Sequence, residues 1–315
     1  LAQKLRGYRY KSGSISFDKV EVKFNIDENG KPIDVYFKVS KEAHKLIEEF
    51  MLLANKKVAE KIGKPTQNQV VKTFVYRVHD EPDLEKLNNF SNFIKRYGYQ
   101  ISLKNNKEIA NSMNSLLETV KGKAEQNVIE NLAIRSMAKA IYDVTNIGHY
   151  GLAFDYYTHF TSPIRRYPDL MVHRLLQSYL HEGRSVNKKE YEKYCKHSSN
   201  MEQRAAQAER ASIKYKQVEF MQDKLGQIFE GVISGLTEWG MYVEISATKI
   251  EGMVSLKDLQ DDYYTFDEKN FCIVGHRHKR KYQLGDLLKV QIIRTNMQKK
   301  QIDMLLVEDA TEVKA

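Results

Sequence analysis

The segment from Tyr156 to Arg174 holds the densest group of chemically capable side chains in the chain. It places two adjacent arginines, Arg165 and Arg166, directly before a predicted helix that has Pro168 in its first turn. Guanidinium groups match phosphate oxygens, and the positive end of a helix dipole also favours anions. Three aromatic rings close by in sequence offer stacking faces: Tyr156, Tyr157 and Phe160. The segment therefore predicts a phosphate-binding site, and the alternative is an arginine–carboxylate network on a packed loop.

A hydrolase triad of Ser162, His159 and Asp169 can be drawn from the same segment, but two features argue against it. The serine lacks a Gly-x-Ser-x-Gly elbow. Pro163 follows it where an oxyanion hole would need a backbone N–H. The sequence therefore does not predict nucleophilic catalysis by serine.

The charge and aromatic content favour a nucleic-acid ligand. The chain carries 50 Lys+Arg and 41 Asp+Glu, a net charge of 50 − 41 = +9, together with 19 Tyr and 13 Phe. Single-stranded nucleic acid requires cations and exposed rings, whereas a solvated basic surface is the plain alternative. Residues 275–281 include His276 and His278 among lysines and arginines; without a third ligand they indicate a basic loop rather than a metal site.

Hydrophobic periodicity predicts a mainly helical α+β arrangement before residue 226. A hairpin is predicted over 17–37, followed by a helix that Ser40 would cap and that Gly63 and Pro65 would end. A short strand and five further helices are predicted over 70–78, 83–97, 106–121, 123–144, 168–181 and 187–224. The arginine segment would then lie in the loop before the helix at 168.

From Gly226 onward, short alternating segments are punctuated by glycine. They predict five strands over 227–234, 240–245, 252–255, 288–294 and 301–306. Five strands in about 80 residues are typical of a small OB-type barrel. The predicted fold class is therefore α+β with a C-terminal β-barrel.

Length and composition restrict the class of protein. The 315 residues suggest about two domains. Cys195 and Cys272 are too few for a disulfide framework and predict reduced thiols in a cytoplasmic protein. We find no apolar run of membrane length and no signal peptide, so no membrane partner is expected. Because the chain begins with Leu1 rather than Met, we expect it to be cut from a longer protein.

The stretch HFTSPIRRYPDLMVHRLL closely resembles the signature of the RNB family of processive 3′-to-5′ exoribonucleases. LIEEFMLLAN at 46–55, YRVHD at 76–80 and AER at 208–210 also resemble segments of that family. IEEFMLLAN and RVHDEPDLEKL resemble its ribonuclease R branch in particular. Residues 226–307 resemble the S1 RNA-binding domain that follows the catalytic domain there.

The resemblance implies a domain organisation. It implies an RNB catalytic domain over 1–224, an S1 domain over 225–308 and a C-terminal tail over 309–315. The first of these would be the C-terminal part of a larger α+β catalytic domain.

The resemblance also implies roles for individual residues. Arg165 would be the catalytic residue, contacting terminal phosphates and stabilising charge that develops at the scissile phosphate. The implied RNA-binding positions are Phe17, Glu48, Tyr157, His159, Ser162, Arg166 and Glu209. The alternatives are helix-face ion pairs for the two glutamates and an ordinary core position for Phe17.

On the barrel, the resemblance implies that Trp239 and Tyr242 face RNA, with Lys300 adding positive charge. Both aromatics flank a Gly240–Met241 bend and can face outward, and a core role is the alternative for the tryptophan. Ser255 stands where such domains often have a histidine. We expect binding to be salt-sensitive with little base reading.

The metal ligands of the family are the missing feature. RNB enzymes hydrolyse phosphodiesters with Mg²⁺ ions held by clustered aspartates, two of them adjacent, near the start of the catalytic domain. The only Asp-Asp pair here is Asp261-Asp262, within the barrel region. We therefore expect that the chain begins after the cluster, has no metal site of its own and is inactive alone.

The sequence thus predicts part of a monomeric, Mg²⁺-dependent 3′-to-5′ exoribonuclease that degrades single-stranded RNA to 5′-mononucleotides. A non-catalytic RNA-binding RNB pseudoenzyme is the first alternative, and upstream aspartates in the gene would distinguish it. A regulatory adaptor that uses the barrel for protein contacts is the second, and it predicts no salt-dependent RNA binding.

Overall fold

The computed structural model describes residues 1–15, 21–64, 71–123, 125–267 and 272–307. They form an α+β fold, as the sequence predicts. Two compact units can be distinguished. The first consists of the described residues within 1–18, 40–119 and 132–206, and the second of those within 19–39, 120–131 and 207–315.

The helices mostly follow the predicted pattern. Those in the described ranges are α1 Ala2–Lys11, α2 Glu42–Gly63, α3 Leu84–Lys95, α4 Asn106–Val120, α5 Gln126–Ser136, α6 Tyr167–Leu180 and α7 Lys188–Gln222. The prediction that Ser40 caps α2 is wrong. Lys41 is the cap residue, and its backbone N–H donates to Nδ1 of His44 at 3.1 Å.

A two-stranded sheet organises the core of the first unit. β3 Tyr76–Val78 pairs antiparallel with β4 Ile141–Asp143, and the sheet packs with buried residues of α6 such as Val172 and Leu175. The helix predicted over 123–144 is therefore wrong beyond Ser136. Pairing with a distant strand, rather than local preference, decides the structure of 141–143.

Helix α2 buries polar side chains and exposes apolar ones. Glu49 and Asn55 are buried, whereas four residues that carry its apolar periodicity are exposed: Leu46, Ile47, Phe50 and Met51. Because a buried polar group needs a hydrogen-bond partner, Glu49 and Asn55 mark the face of α2 that builds specific contacts.

The second unit contains the predicted hairpin, β1 Glu21–Ile26 and β2 Pro32–Lys38, which pair antiparallel. Its turn ends at Gly30, whose φ of +79° suits glycine. The chain then forms strands β5 Ile228–Thr237, β6 Gly240–Ile245, β7 Glu251–Ser255, β11 Leu287–Asn296 and β12 Gln301–Leu306. They close into a five-stranded barrel in the order β11-β12-β7-β6-β5, which confirms the OB-type prediction.

Between β7 and β11 the chain forms a separate three-stranded antiparallel sheet that the sequence analysis did not anticipate. Its strands are β8 Tyr264–Asp267, β9 Cys272–Gly275 and β10 Lys281–Gln283. Tyr264, Ile273 and Tyr282 are buried on one face, and the ring centroids of the two tyrosines lie 5.5 Å apart. The inserted sheet therefore has a packed interior of its own.

Two further expectations concern the cysteines and membranes. Cys195 and Cys272 are both buried thiols, and burial raises the pKa of Cys195 to about 12. Of the helices in the described ranges, none is both long enough and apolar enough to cross a bilayer.

Candidate nucleic-acid interface

Asp169 fixes the shape of the arginine segment. Its side chain is 0% exposed, and Oδ1 accepts hydrogen bonds from the Ser162 backbone N–H and the Arg166 guanidinium, both at 2.8 Å. Pro168 lies in the first turn of α6, where a backbone N–H has no intrahelical partner. The buried carboxylate therefore closes residues 162–166 into a compact turn at the start of α6.

The structure gives the two adjacent arginines different environments. Arg166 forms an ion pair with Asp169 at 2.8 Å, as the arginine–carboxylate alternative predicts. Arg165 is exposed, and within the described part of the chain its guanidinium has no ion pair. Arg165 is therefore the arginine that is available to an external anion at the N-terminus of α6.

Residues of α2 and of the segment 157–166 line a cavity of about 520 Å³. It brings together four predicted RNA-binding residues, namely Glu48, Tyr157, His159 and Arg166. It also contains three polar residues that the sequence analysis did not single out, namely His44, Asn55 and Thr161. Apolar side chains of α2, including Ile47 and Met51, complete the wall. A mixed polar and apolar lining of this kind fits a ligand with both rings and charged groups.

Asn55 ties α2 to the arginine segment. Its Nδ2 donates to the Tyr157 hydroxyl at 3.1 Å, and its Oδ1 accepts the Phe160 backbone N–H at 2.9 Å. The Tyr157 ring is only 4% exposed and lies against the rings of His149 and His159. The predicted open stacking face at Tyr157 is therefore wrong, because neighbouring rings cover it.

His159 is a neutral group in the cavity wall. Burial, aided by the nearby Arg166 and Arg77, lowers its pKa to about 2. The Tyr142 hydroxyl is hydrogen-bonded to His159 Nδ1 at 2.8 Å, and burial raises the pKa of Tyr142 to about 12. Because Nδ1 has this partner and Asp169 is engaged by Ser162 and Arg166, the triad geometry does not form, as the sequence analysis expected.

The paired glutamates of α2 have separate environments. Glu49 is buried and accepts a hydrogen bond from the Arg9 guanidinium at 2.5 Å. Glu48 lines the cavity, and its carboxylate lies 3.8 Å from the same guanidinium. Arg9 thus anchors α1 to α2 through Glu49 and leaves Glu48 open to the cavity.

Trp239 is 66% exposed at the turn between β5 and β6, so the core alternative for this residue is wrong. Tyr242 is half-buried on β6, two residues from the buried Gly240. Lys300 lies half-buried in the turn between β11 and β12. The Ser255 hydroxyl accepts the Lys257 backbone N–H at 3.3 Å and so caps a short 3₁₀ turn.

The remaining predicted residues are not among the described residues that line the cavity. Glu209 is exposed on α7, and Phe17 lies outside the described residues. Asp261 accepts a hydrogen bond from the Tyr264 hydroxyl at 2.7 Å, while Asp262 accepts the Arg277 backbone N–H at 2.8 Å. Within the described ranges, no group of three or more His, Cys, Asp or Glu could hold a metal ion.

Comparison with known families identifies the class of protein. The RNB domain model matches residues 1–182, and the S1 RNA binding domain model matches residues 222–306. The chain therefore belongs to the RNB family and carries an S1 domain, which confirms both predicted resemblances.

Its relatives include Ribonuclease R proteins. The one from Thermotoga maritima is 39% identical over 323 residues, which cover 99% of this chain and 44% of that protein. The one from Aquifex aeolicus is 36% identical, with 95% of this chain and 42% of that protein covered. The chain thus spans less than half the length of these relatives.

Solved structures support the same family. Mycoplasma genitalium RNase R in complex with ribose methylated single-stranded RNA has a TM-score of 0.88 at 27% identity, covering 97% of this chain and 48% of that one. Yeast Ssd1, a pseudonuclease, has a TM-score of 0.59 at 25% identity, covering 74% of this chain and 29% of that one.

Proposed function

We propose that this chain is part of a processive 3′-to-5′ exoribonuclease that hydrolyses single-stranded RNA to 5′-mononucleotides. The observation that carries the proposal is the exposed guanidinium of Arg165, which has no ion pair with any described residue and lies at the N-terminus of α6 in a member of the RNB family. The positive charge and the helix dipole act in the same direction on a phosphate. The names of its relatives support the same activity.

In this proposal Arg165 is the catalytic arginine, and the cavity that the adjacent Arg166 lines receives the RNA end. Glu48 and neutral His159 supply polar contacts in the cavity wall, while Arg166 and the turn at Ser162 hold the segment in shape. Glu209 and Phe17 remain proposed RNA contacts.

We further propose that the S1 domain, over 225–308, binds the RNA strand through Trp239, Tyr242 and Lys300. The exposure of Trp239 and the match of the S1 model from residue 222 support this assignment. The RNB portion would then occupy 1–224, with α7 ending at Gln222.

Mg²⁺ is the cofactor that the family implies for the intact protein. The described residues do not fit such a site, because the two adjacent aspartates serve the inserted sheet and Asp169 is engaged by Arg166. We therefore assign no metal-dependent step to this chain and propose that the ligands belong to another part of a monomeric, cytoplasmic enzyme.

The test compares hydrolysis and binding in the protein encoded by the whole gene. With 5′-labelled single-stranded RNA and Mg²⁺, we expect stepwise shortening from the 3′ end and release of 5′-mononucleotides. Arg165→Ala should reduce turnover strongly while most RNA affinity remains, because the S1 domain still binds. Arg184→Ala, an exposed arginine outside the segment, is the matched control. Unchanged turnover in Arg165→Ala would refute the assignment.

A non-catalytic RNA-binding protein of the same family is the second candidate. The likeness to yeast Ssd1, a pseudonuclease, favours it. RNA binding without hydrolysis by the whole gene product, under Mg²⁺ and Mn²⁺, would support this candidate over the first.

A further inference from the structure

The inserted sheet presents an aromatic pair to solvent. Tyr263 is 71% exposed, and its ring centroid lies 5.2 Å from that of the exposed His276. His276 Nε2 is hydrogen-bonded to the Thr265 hydroxyl at 3.2 Å, and its backbone N–H donates to the Tyr263 carbonyl at 2.9 Å. An exposed ring that is held in place by its neighbours is a platform on which a nucleobase can stack.

The turn that follows this pair is fixed by Asp262. Its carboxylate accepts backbone N–H groups of Tyr263, Arg277 and His278, at 2.7 to 2.9 Å. The Gly275 N–H donates to the Arg280 carbonyl at 2.9 Å and closes the turn. Since Asp262 occupies these backbone donors, an anion approaching the turn must be bound by side chains.

Side-chain cations are available at that turn. Arg277, Lys279 and Lys281 are exposed, and none of the three has an ion pair within the ranges that the structure describes. By contrast, exposed Arg294 of the same unit pairs with Asp303 at 2.7 Å. Exposed cations together with a stacking platform are the combination that binds the backbone and bases of a single strand.

The chain connects this surface to the turn that carries Trp239. The Leu256 backbone N–H donates to the Trp239 carbonyl at 3.1 Å. Tyr263 follows seven residues later, so the connecting segment can span at most about 25 Å. A single strand of a few nucleotides is therefore long enough to reach the exposed rings of both Trp239 and Tyr263.

We propose that Tyr263, His276, Arg277, Lys279 and Lys281 form a second binding surface for single-stranded RNA. We call it the insertion surface. One base stacks on Tyr263 while the three cations neutralise phosphates, and the surface reads no base sequence. This inference rests on the proposed RNA-binding function of the S1 domain and extends the RNA path beyond Trp239.

The first test removes the stacking ring. Chain 1–315 is titrated against fluorescein-labelled oligo(A), and the dissociation constant is measured by anisotropy. Tyr263→Ala should raise the constant by at least about fivefold, whereas Tyr263→Phe, which keeps the ring, should stay near wild type. Tyr8→Ala, an equally exposed tyrosine on α1, is the matched control. Wild-type affinity in Tyr263→Ala would overturn the proposal.

The second test removes the cations. The triple variant Arg277→Gln, Lys279→Gln, Lys281→Gln should lower the slope of log affinity against log salt by about 2, since each phosphate contact on a single strand contributes about 0.7. The control removes the same charge from exposed positions on α7: Lys188→Gln, Lys189→Gln and Lys193→Gln. An equal change in both triples would mean that only net charge matters, and would overturn the proposal.

Parallel measurements separate this inference from the proposed function. If Trp239→Ala weakens RNA binding and the insertion-surface variants do not, RNA binding by the S1 domain is supported and the proposed insertion surface is refuted. If the wild-type chain shows no salt-dependent RNA binding, both fall. If the triple variant keeps its RNA affinity but loses affinity for poly-glutamate, the surface serves an acidic protein segment instead, and the proposal is overturned.

Discussion

Asp169 determines which of two neighbouring arginines is free to meet a ligand. Its carboxylate binds Arg166 and the Ser162 N–H, so Arg165 alone projects without an ion pair in the described structure. Its second oxygen, Oδ2, is buried and makes no hydrogen bond among the described residues. A buried carboxylate of this kind is costly unless its charge is compensated, which makes the pair sensitive to substitution.

Substituting Asp169 should therefore lower stability. Asp169→Asn retains an oxygen for the Ser162 N–H but loses the charge that binds Arg166. We expect a loss of about 1.5–3 kcal/mol in the free energy of unfolding, the usual contribution of a hydrogen bond to a charged group. Urea titration followed by circular dichroism measures it. Asp155→Asn, at an exposed position, is the control, and equal stability of both variants would contradict the assigned role.

Exposed Trp239 and half-buried Tyr242 on the barrel give a second prediction at the residue scale. Trp239→Ala and Tyr242→Ala should each weaken RNA binding by about 1–3 kcal/mol per lost stack. Fluorescence anisotropy with labelled single-stranded RNA measures the change. Trp239→Phe preserves a ring and should lose less. If both alanine variants have the RNA dissociation constant of the wild-type protein, neither ring contacts RNA.

Residues of the site could be predicted from the sequence only where the side chain is of a type that binds phosphate or RNA. Arg165, Arg166 and Glu48 could be predicted because they are charged residues within segments that resemble the family. Tyr157, His159 and Arg166 line the same cavity as Glu48. Asn55 and Thr161 did not stand out, because one polar residue on a helix or loop carries no periodic signal. Asn55 is nevertheless the residue that fastens α2 to the arginine segment.

At the scale of elements, local pattern predicted the barrel better than the strands of the first unit. Strand β6 has the bounds that its alternation predicts, Gly240–Ile245, because its buried residues Met241, Val243 and Ile245 alternate with partly exposed ones. The periodicity predicts helix at Ile141–Asp143, and this prediction is wrong. These residues form strand β4 because they pair with β3, more than sixty residues earlier in the chain. The inserted sheet escaped prediction because its strands are three or four residues long.

Close approach between β6 and β7 makes Gly240 a sensitive position. A Cβ there would lie 2.3 Å from the Val254 carbonyl oxygen and 3.1 Å from Ser255 Cα, both backbone atoms. We expect Gly240→Ala to cost about 1–3 kcal/mol, as overpacking does elsewhere, and to lower the melting temperature. Gly235→Ala is the matched control, since its nearest atoms belong to the Tyr242 side chain at 3.5 Å. Equal melting of the two variants would contradict this account.

At the scale of the whole molecule, half-buried neutral histidines link stability to pH. Burial lowers the pKa of His149 to about 3 and that of His159 to about 2, with Arg77 adding to both shifts. In the unfolded chain both histidines have a pKa of about 6.5. The unfolded state therefore binds more protons below that pH, so the stabilisation is complete above about 6.5 and is lost as the pH falls toward the folded values.

We expect the free energy of unfolding to fall by about 1.4 kcal/mol per pH unit for each histidine between pH 6 and 4. Urea unfolding at several pH values measures the slope. His159→Asn, which keeps an acceptor near the Tyr142 hydroxyl, should reduce the slope by about the share of one histidine. A slope that does not change in this variant would show that carboxylates alone govern acid sensitivity.

Trp239 also gives the protein a natural optical reporter. It is the only tryptophan in the sequence, and it is exposed on the barrel. Selective excitation of the indole therefore observes one point of the surface, where a stacked base would quench the emission. Titration with unlabelled RNA can follow occupancy of the S1 face in wild-type protein, with no attached dye. In stopped flow, the same signal would give the rates at which the strand docks and leaves.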